Sequence, residues 1–359
     1  MTGRRRAVQV GKSLVFLLCI ALFFFALTQA DLAAGFRRIV ALGPIVVLVL
    51  VPFPLALACD AVAWRTLLRA LGHRVRWAPL FKVRLATEAV TNTTPAGAVW
   101  AEAISPVLVA RRTGAPVADV VAASTAKRWL LVRMHGAYVA LSAAFGYFAL
   151  SRASHALVAS DAIVLVVVGG ALGLVLLSLG IEELTARGQV AARVSGFLGR
   201  RRFRGLQKWI EGRRHHFAHA DSQIGRLAGD VHATRQSSAW ILGLWLIEGF
   251  ETYLILHLLG ARLDLLEVMS FDAALSVVRS VAVFAPAGIG IQDVGYLAVL
   301  EAYGVPGASG IAPAFVVLKR MKEAVFVTVG LVLLARTSAN RRFAHHLASP
   351  PAHPPSAAT

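Results

Sequence analysis

The chain reads as an all-α, polytopic membrane protein with about six transmembrane helices and two re-entrant helical hairpins, arranged as an inverted repeat. Three observations predict this. Of the 359 residues, 57% are hydrophobic and only 16% charged, against about 45–50% and about 25% in soluble chains. Several apolar runs approach the roughly 20 residues that cross a hydrocarbon core of about 30 Å. Two segments within this apolar sequence, PAGAVWAE (95–102) and PAGIGIQDVGY (286–296), open on the same three residues and carry an acid seven positions after the proline.

The elements follow in order. Residues 1–13 hold Arg4, Arg5, Arg6 and Lys12, and the excess of basic residues on cytoplasmic loops puts this terminus inside. The stretch GRRRAVQVGKSLVFLLCIALFFFALTQA also has the form of a cleaved signal peptide; the many later spans and the repeat favour an uncleaved first helix. Spans are expected at 14–35 and 39–64, and the loop after them, with Arg65, Arg69, Arg74, Arg76, Lys82 and Arg84, is then cytoplasmic. Spans at 129–150 and 162–182 lead to a second basic segment, 183–238, with eleven Lys and Arg. Spans at 239–260 and 312–335 lead to the third, a cytoplasmic tail with Arg336, Arg341 and Arg342.

All three basic segments share one side only if an even number of crossings separates them. The segments 85–110 and 268–304 must therefore each enter and leave by one face, the first from the cytoplasm and the second from outside. Repeats over 14–150 and 151–335 result, followed by a disordered tail over 336–359 that ends ASPPAHPPSAAT. Spacing supports the duplication: Pro95 to Lys127-Arg128 and Pro286 to Lys319-Arg320 differ by a single residue.

Proline fixes φ and lacks an N–H, so it opens a helix and breaks one in its interior. Pro95 with Gly97, and Pro286 with Gly288, should each start a half-helix. Thr94 is expected to cap the first, with Asn92 and Thr93 satisfying other freed backbone groups, whereas Ala285 offers the second no cap. Each start projects unpaired N–H groups and a partial positive charge, a site for an anionic head. Glu102 and Asp293, about two turns further on, are placed to pair with Lys127, Arg128, Lys319 or Arg320. On the last span Lys319, Lys322 and Glu323 share a face. Charge at mid-membrane costs at least about 2.5–3.5 kcal/mol per residue without a partner or water. Glu248 and Glu251 read as structural acids or a proton site, and Arg133 and Arg279 as buried partners or snorkelling side chains. The plainer reading of all these charges is structural ion pairing between the halves.

Other chemistry finds little support. The formal charge of +18 flanks apolar runs instead of forming a nucleic-acid face. Cys19 and Cys59 lie inside expected spans, so no disulfide framework or metal cluster is indicated. His215, His216 and His219 sit in an arginine-rich segment and read as solvated. The Asn92-Thr93-Thr94 sequon lies on the wrong side for modification. No cofactor is implied: GxSxG, Walker and HExxH motifs do not occur, and GIGIQDVG lacks a βαβ setting.

PAGIGIQDVGYLAVLEAYGV and FVVLKRMKEAVFVTVGLVLL resemble the C-terminal signature of flippase-like integral membrane proteins related to the transmembrane region of lysylphosphatidylglycerol synthases. TNTTPAGAVWAEAISPVLVARRTGAP resembles that family's N-terminal signature. The resemblance covers roughly 14–335, and its PAGIGIQDVGY form is closest to hopanoid-biosynthesis-associated membrane proteins. It implies translocation or export of an amphipathic lipid, with a hopanoid as the candidate, and carries over the two PAG turns, Glu102, Asp293 and the Lys-Arg pairs. Synthases of the family place an aminoacyl-transferase domain after the membrane part; this chain stops soon after its last span, so no such enzyme is expected. The setting implied is a bacterial-type cytoplasmic membrane, and segment 183–238 would meet anionic lipid heads of the inner leaflet. Two alternatives stand beside transport: an intramembrane enzyme with Glu102 and Asp293 as an acid/base pair, and a non-transporting scaffold for lipid synthesis.

Overall fold

In a computed structural model of the chain the described residues are 31–94, 97–186, 214–281 and 291–348, and their regular structure is entirely helical. Asp31 caps the first helix, its carboxylate accepting from Ala34 N at 2.8 Å. That helix, α1 (Leu32–Leu42), runs through a 3-10 segment (Gly43–Leu50) into α2 (Pro52–Ala70), with Pro52 in the first turn where its missing N–H costs nothing. Then come α3 (Trp77–Thr93), α4 (Gly97–Thr113), α5 (Val117–Phe145), α6 (Tyr147–Val158) and α7 (Ala162–Ala186). After residues 187–213 follow α8 (Arg214–Gly229), α9 (Val231–Leu258), α10 (Leu265–Val281), α11 (Ile291–Ala302) and α12 (Ala308–Ala348).

Leu32–Ala70, Ala162–Ala186 and Val231–Leu258 are long and apolar enough to cross a membrane. On α7, Leu165, Leu172 and Leu176 are exposed along its outer side, a surface suited to lipid. Boundaries differ from the sequence expectation where polar or small residues intervene. The Asp31 cap starts a helix inside the expected first span, most of which lies outside the described residues. The span expected at 129–150 ends instead at Gly146, where a Cβ would stand 2.3 Å from that of Ser270 on α10. Part of 183–238 is folded against the bundle: Ala220, Ile224 and Leu227 of α8 are buried, and α8 packs on α5, α7 and α9.

The centre is an antiparallel pair. Near the end of α2, Val62 and Thr66 face Ala233 and Gln236 at the start of α9, and Ser237 Oγ donates to Ala63 O at 3.3 Å. At the other end Pro52 and Leu55 face Leu246 and Phe250. The surrounding contacts are reciprocal: α5 packs on α7 as α12 packs on α1, α3 on α12 as α10 on α5, α4 on α5 as α11 on α12, and α3/α4 and α10/α11 each pack together. Backbones meet closely at small residues, as membrane helices do without a hydrophobic drive between them. A Cβ at Gly136 would lie 2.8 Å from Ala171 O, and one at Gly330 2.6 Å from Leu85 O. One apolar core gathers Trp64, Leu67, Trp129 and Leu130; another gathers Leu256, Phe271, Leu300 and Phe315.

Helices α2 and α9 end alike. His73 N donates to Leu68 O, and Ala261 N to Leu256 O, each at 3.0 Å. Gly72 and Gly260 take φ of 92° and 88°, the left-handed residue of a Schellman cap. Because the helices are antiparallel, the turns Leu71-Gly72-His73-Arg74 and Leu259-Gly260-Ala261-Arg262 lie at opposite ends of the bundle.

Candidate functional site

These turns set a common register. Asp60 precedes Leu71 by eleven positions, as Glu248 precedes Leu259, and Arg84 follows by thirteen, as Asp272 does. Helices α3 and α10 both begin six positions after their turn. Each register position carries an ionisable side chain into an otherwise apolar segment.

In the first cluster Asp60 of α2 is 0% exposed. Lys127 Nζ of α5 donates to its Oδ2 at 2.8 Å, and Arg84 Nε of α3 lies 2.6 Å from the same oxygen. The ammonium also sits 4.3 Å from the Trp64 ring centroid, a cation–π contact. Asp60, Arg84 and Lys127 by themselves sum to one positive charge; Asp60 and Lys127 are buried, so their charges are strongly felt, whereas the Arg84 side chain is 21% exposed. Asp60 Oδ1 and Trp64 Nε1 are buried without a hydrogen-bond partner among the described residues; a polar head or water would satisfy them. At the rim Arg128 pairs with Glu102 at 3.2 Å and Arg84 with Glu88 at 3.5 Å.

The second cluster lies across α9, α10 and α12. Lys322 Nζ donates to Glu251 Oε1 at 2.5 Å, with both side chains buried, and stands 4.8 Å from the Phe53 ring of α2. Lys319 Nζ donates to Thr252 Oγ1 at 3.3 Å and lies 5.0 Å from the Phe315 ring. Tyr138 OH donates to Asp272 Oδ2 at 3.1 Å, and Thr252 Oγ1 lies 3.5 Å from Oδ1. At the position matching Arg84 the second half therefore has an acid, so Asp60, Arg84 and Lys127 sum to one positive charge while Glu248, Asp272 and Lys319 sum to one negative.

The structure joins the expected residues selectively. Glu102 meets Arg128 as expected, whereas Lys127 turns to Asp60, because adjacent helical residues point to different sides. Glu323 takes Arg320 at 2.9 Å, Glu251 takes Lys322, and Glu248 sits on α9 one turn before Thr252. Arg133 pairs inward with Glu182 of α7. Gly97 opens α4 so close to α3 that a Cβ would lie 2.2 Å from Thr91 O. The Thr94 hydroxyl donates back to Val90 O at 2.8 Å, as Thr93 does to Ala89 O at 2.7 Å and Asn92 Nδ2 to Glu88 O at 3.1 Å; the cap of α4 lies outside the described residues. Pro95, Pro286 and Gly288, with the side chains of Arg279 and Asp293, lie outside the described residues.

His219 is not simply solvated. Its Nε2 lies 2.8 Å from Asp119 Oδ1, and His73 Nε2 lies 2.7 Å from Oδ2, so buried Asp119 at the start of α5 ties α8 to the turn after α2. An acid within LACDAVAW is the one sequence signal for Asp60; Arg84 falls within the expected basic loop and Asp272 within the expected outer dip.

Helices with lipid-suited faces around buried ion pairs define a polytopic membrane protein. Residues 9–346 match the family described as the lysylphosphatidylglycerol synthase TM region, and the chain belongs to that family. No curated protein and no solved structure matches it.

Proposed function

We propose that the chain is a flippase-like transporter of an amphipathic lipid, an anionic phospholipid or a hopanoid, working by movement of one half against the other. One observation carries this reading: two oppositely biased polar clusters stand in matching register on an antiparallel helix pair. Asp60 lies near residue 241 of α9, so the clusters are separated by about seven residues, roughly 10 Å along the axis. Reciprocal helix contacts and the matched Schellman turns support an inverted repeat, the architecture in which transporters hold a substrate site near the midplane. The end of α3 at Thr93, with Thr94 extended, supports a re-entrant hairpin, since irregular backbone at membrane depth persists where protein buries it or it lines a wet cavity.

In this reading the positive cluster receives an anionic head: Arg128 swings from Glu102 at the rim, and Arg84 and Lys127 share Asp60 with it behind. The acid-rich cluster of Glu248, Glu251 and Asp272 takes the coupling proton. The bundle lies in a bacterial-type cytoplasmic membrane with both termini inside, and the chain acts without aminoacyl transfer. Wild-type protein reconstituted into unilamellar vesicles with trace NBD-phosphatidylglycerol should raise the dithionite-accessible fraction above the outer-leaflet share, and R84Q/R128Q should abolish the gain. Wild-type vesicles indistinguishable from protein-free ones, with that lipid and with a fluorescent hopanoid, would remove the transport reading.

A further inference from the structure

One end of the bundle carries a pocket that the transport reading does not use. The Schellman turn at Gly72 folds the chain back so that Arg74 and Arg76 return beside Arg65 and Arg69 on the last turns of α2. With Gly72 and Val75 these arginines line an open pocket of about 770 Å³ that contains no carboxylate. Arg65 and Arg69, four apart, share a helix face, and Arg65 Nε donates to Val75 O at 3.1 Å, which holds its guanidinium in place. Among the described residues no acid forms an ion pair with any of the four. A bias of basic residues toward one membrane face accounts for cations at this end; it does not account for their convergence on one concavity. The fold does not demand them either, since Tyr253, His257, Arg262 and Asp264 occupy the matching positions around Gly260.

A second cleft of about 370 Å³ shares Arg65 and Arg69 and continues between α2 and α9, past Val62 and Ala233 to Trp240. Its one acid, Asp230, is engaged as the cap of α9, accepting from Ala233 N at 2.9 Å. Trp240 is 41% exposed and offers an apolar ring with one N–H donor along the cleft. Guanidinium groups recognise phosphate oxygens by paired, charge-assisted hydrogen bonds, and four around one pocket suit more than a single negative charge.

We propose that this pocket binds a phosphate monoester dianion, supplied by a lipid whose glyceryl end lies along the cleft toward Trp240. The site is separate from the Asp60 cluster and stands whether or not the chain moves lipid. The test is calorimetric titration of the purified full chain in uncharged detergent with dioctanoyl phosphatidic acid, dioctanoyl phosphatidylcholine and inorganic pyrophosphate. Phosphatidic acid should bind at least about tenfold tighter than phosphatidylcholine. R74Q/R76Q, which alters exposed side chains only, should remove at least that factor, as should R65Q/R69Q, while R111Q/R112Q at the end of α4 should leave binding unchanged. R65K/R69K, retaining charge without the planar fork, should fall between. Pyrophosphate binding as tightly as phosphatidic acid would keep the phosphate site and assign its source to solution. Equal affinity for the two lipids, or equal loss in R111Q/R112Q and R74Q/R76Q, would overturn the proposal.

Discussion

Asp60 shows how one side chain can be both a liability and a constraint. Removing its charge leaves buried Lys127 beside Arg84 without the carboxylate that separates them, with the partly exposed Glu88 contact left to Arg84, and breaking a buried pair from one side costs about 3–5 kcal/mol. D60N should therefore lower the unfolding midpoint of the protein in mild detergent sharply. D60L/K127M, which removes both members in favour of apolar groups, should recover part of the loss, since pairs replaced together are often neutral. Additive losses in D60L, K127M and the double variant would mean that the two side chains do not act as a unit. The sequence places this acid in an apolar run but cannot name its partners, which come from residues 24 and 67 positions away. Of the cations offered to Glu102 in sequence, Arg128 takes it and Lys127 takes Asp60, because helical phase points adjacent residues to different sides.

At the level of elements, small residues decide where helices cross. A Cβ on Gly330 of α12 would approach that of Ala89 on α3 to 2.7 Å, so A89C/G330C, with Cys19 and Cys59 replaced by serine, needs a shift of only about 1 Å to reach disulfide spacing. Mild oxidation should close the bond nearly completely, read as intact mass after alkylation of free thiols; G330C paired with exposed V99C should remain unbridged. Helix content, the break before Gly97 and the polar bias of the last span were legible from periodicity, proline and charge. Helix ends were less so: Asp31, Gly146 and the 3-10 run after Gly43 cut across apolar stretches that hydropathy alone joins or divides differently. The Asp119 link to His73 and His219 was hidden because its members are 46 and 100 positions from the acid.

For the whole molecule, the antiparallel α2/α9 pair makes a directional statement about the two Leu-Gly turns. In a cysteine-free background, R74C and R262C should react with a membrane-impermeant maleimide from opposite sides of sealed vesicles. Reaction of both from one compartment would rule out the inverted arrangement. The PAG and Lys-Arg spacings are the sequence's argument for a repeat, but the second PAG lies outside the described residues; the turns LGHRV and LGARL are hard to weigh in sequence, because a short pattern gains weight only when both copies close the same kind of helix end.

The provenance of each cluster along the chain also bears on how the protein is made. Asp60, Arg84, Lys127 and Trp64 all belong to the first 130 residues, so this ion triad can assemble while the ribosome is still synthesising the remainder. Among the described residues Glu251 takes its cation from Lys322 of α12, and that lysine rests on Phe53 from the early part of the chain. The Glu251–Lys322 pair therefore waits for α12 to be synthesised, and its formation brings an early, a middle and a late segment of the chain together.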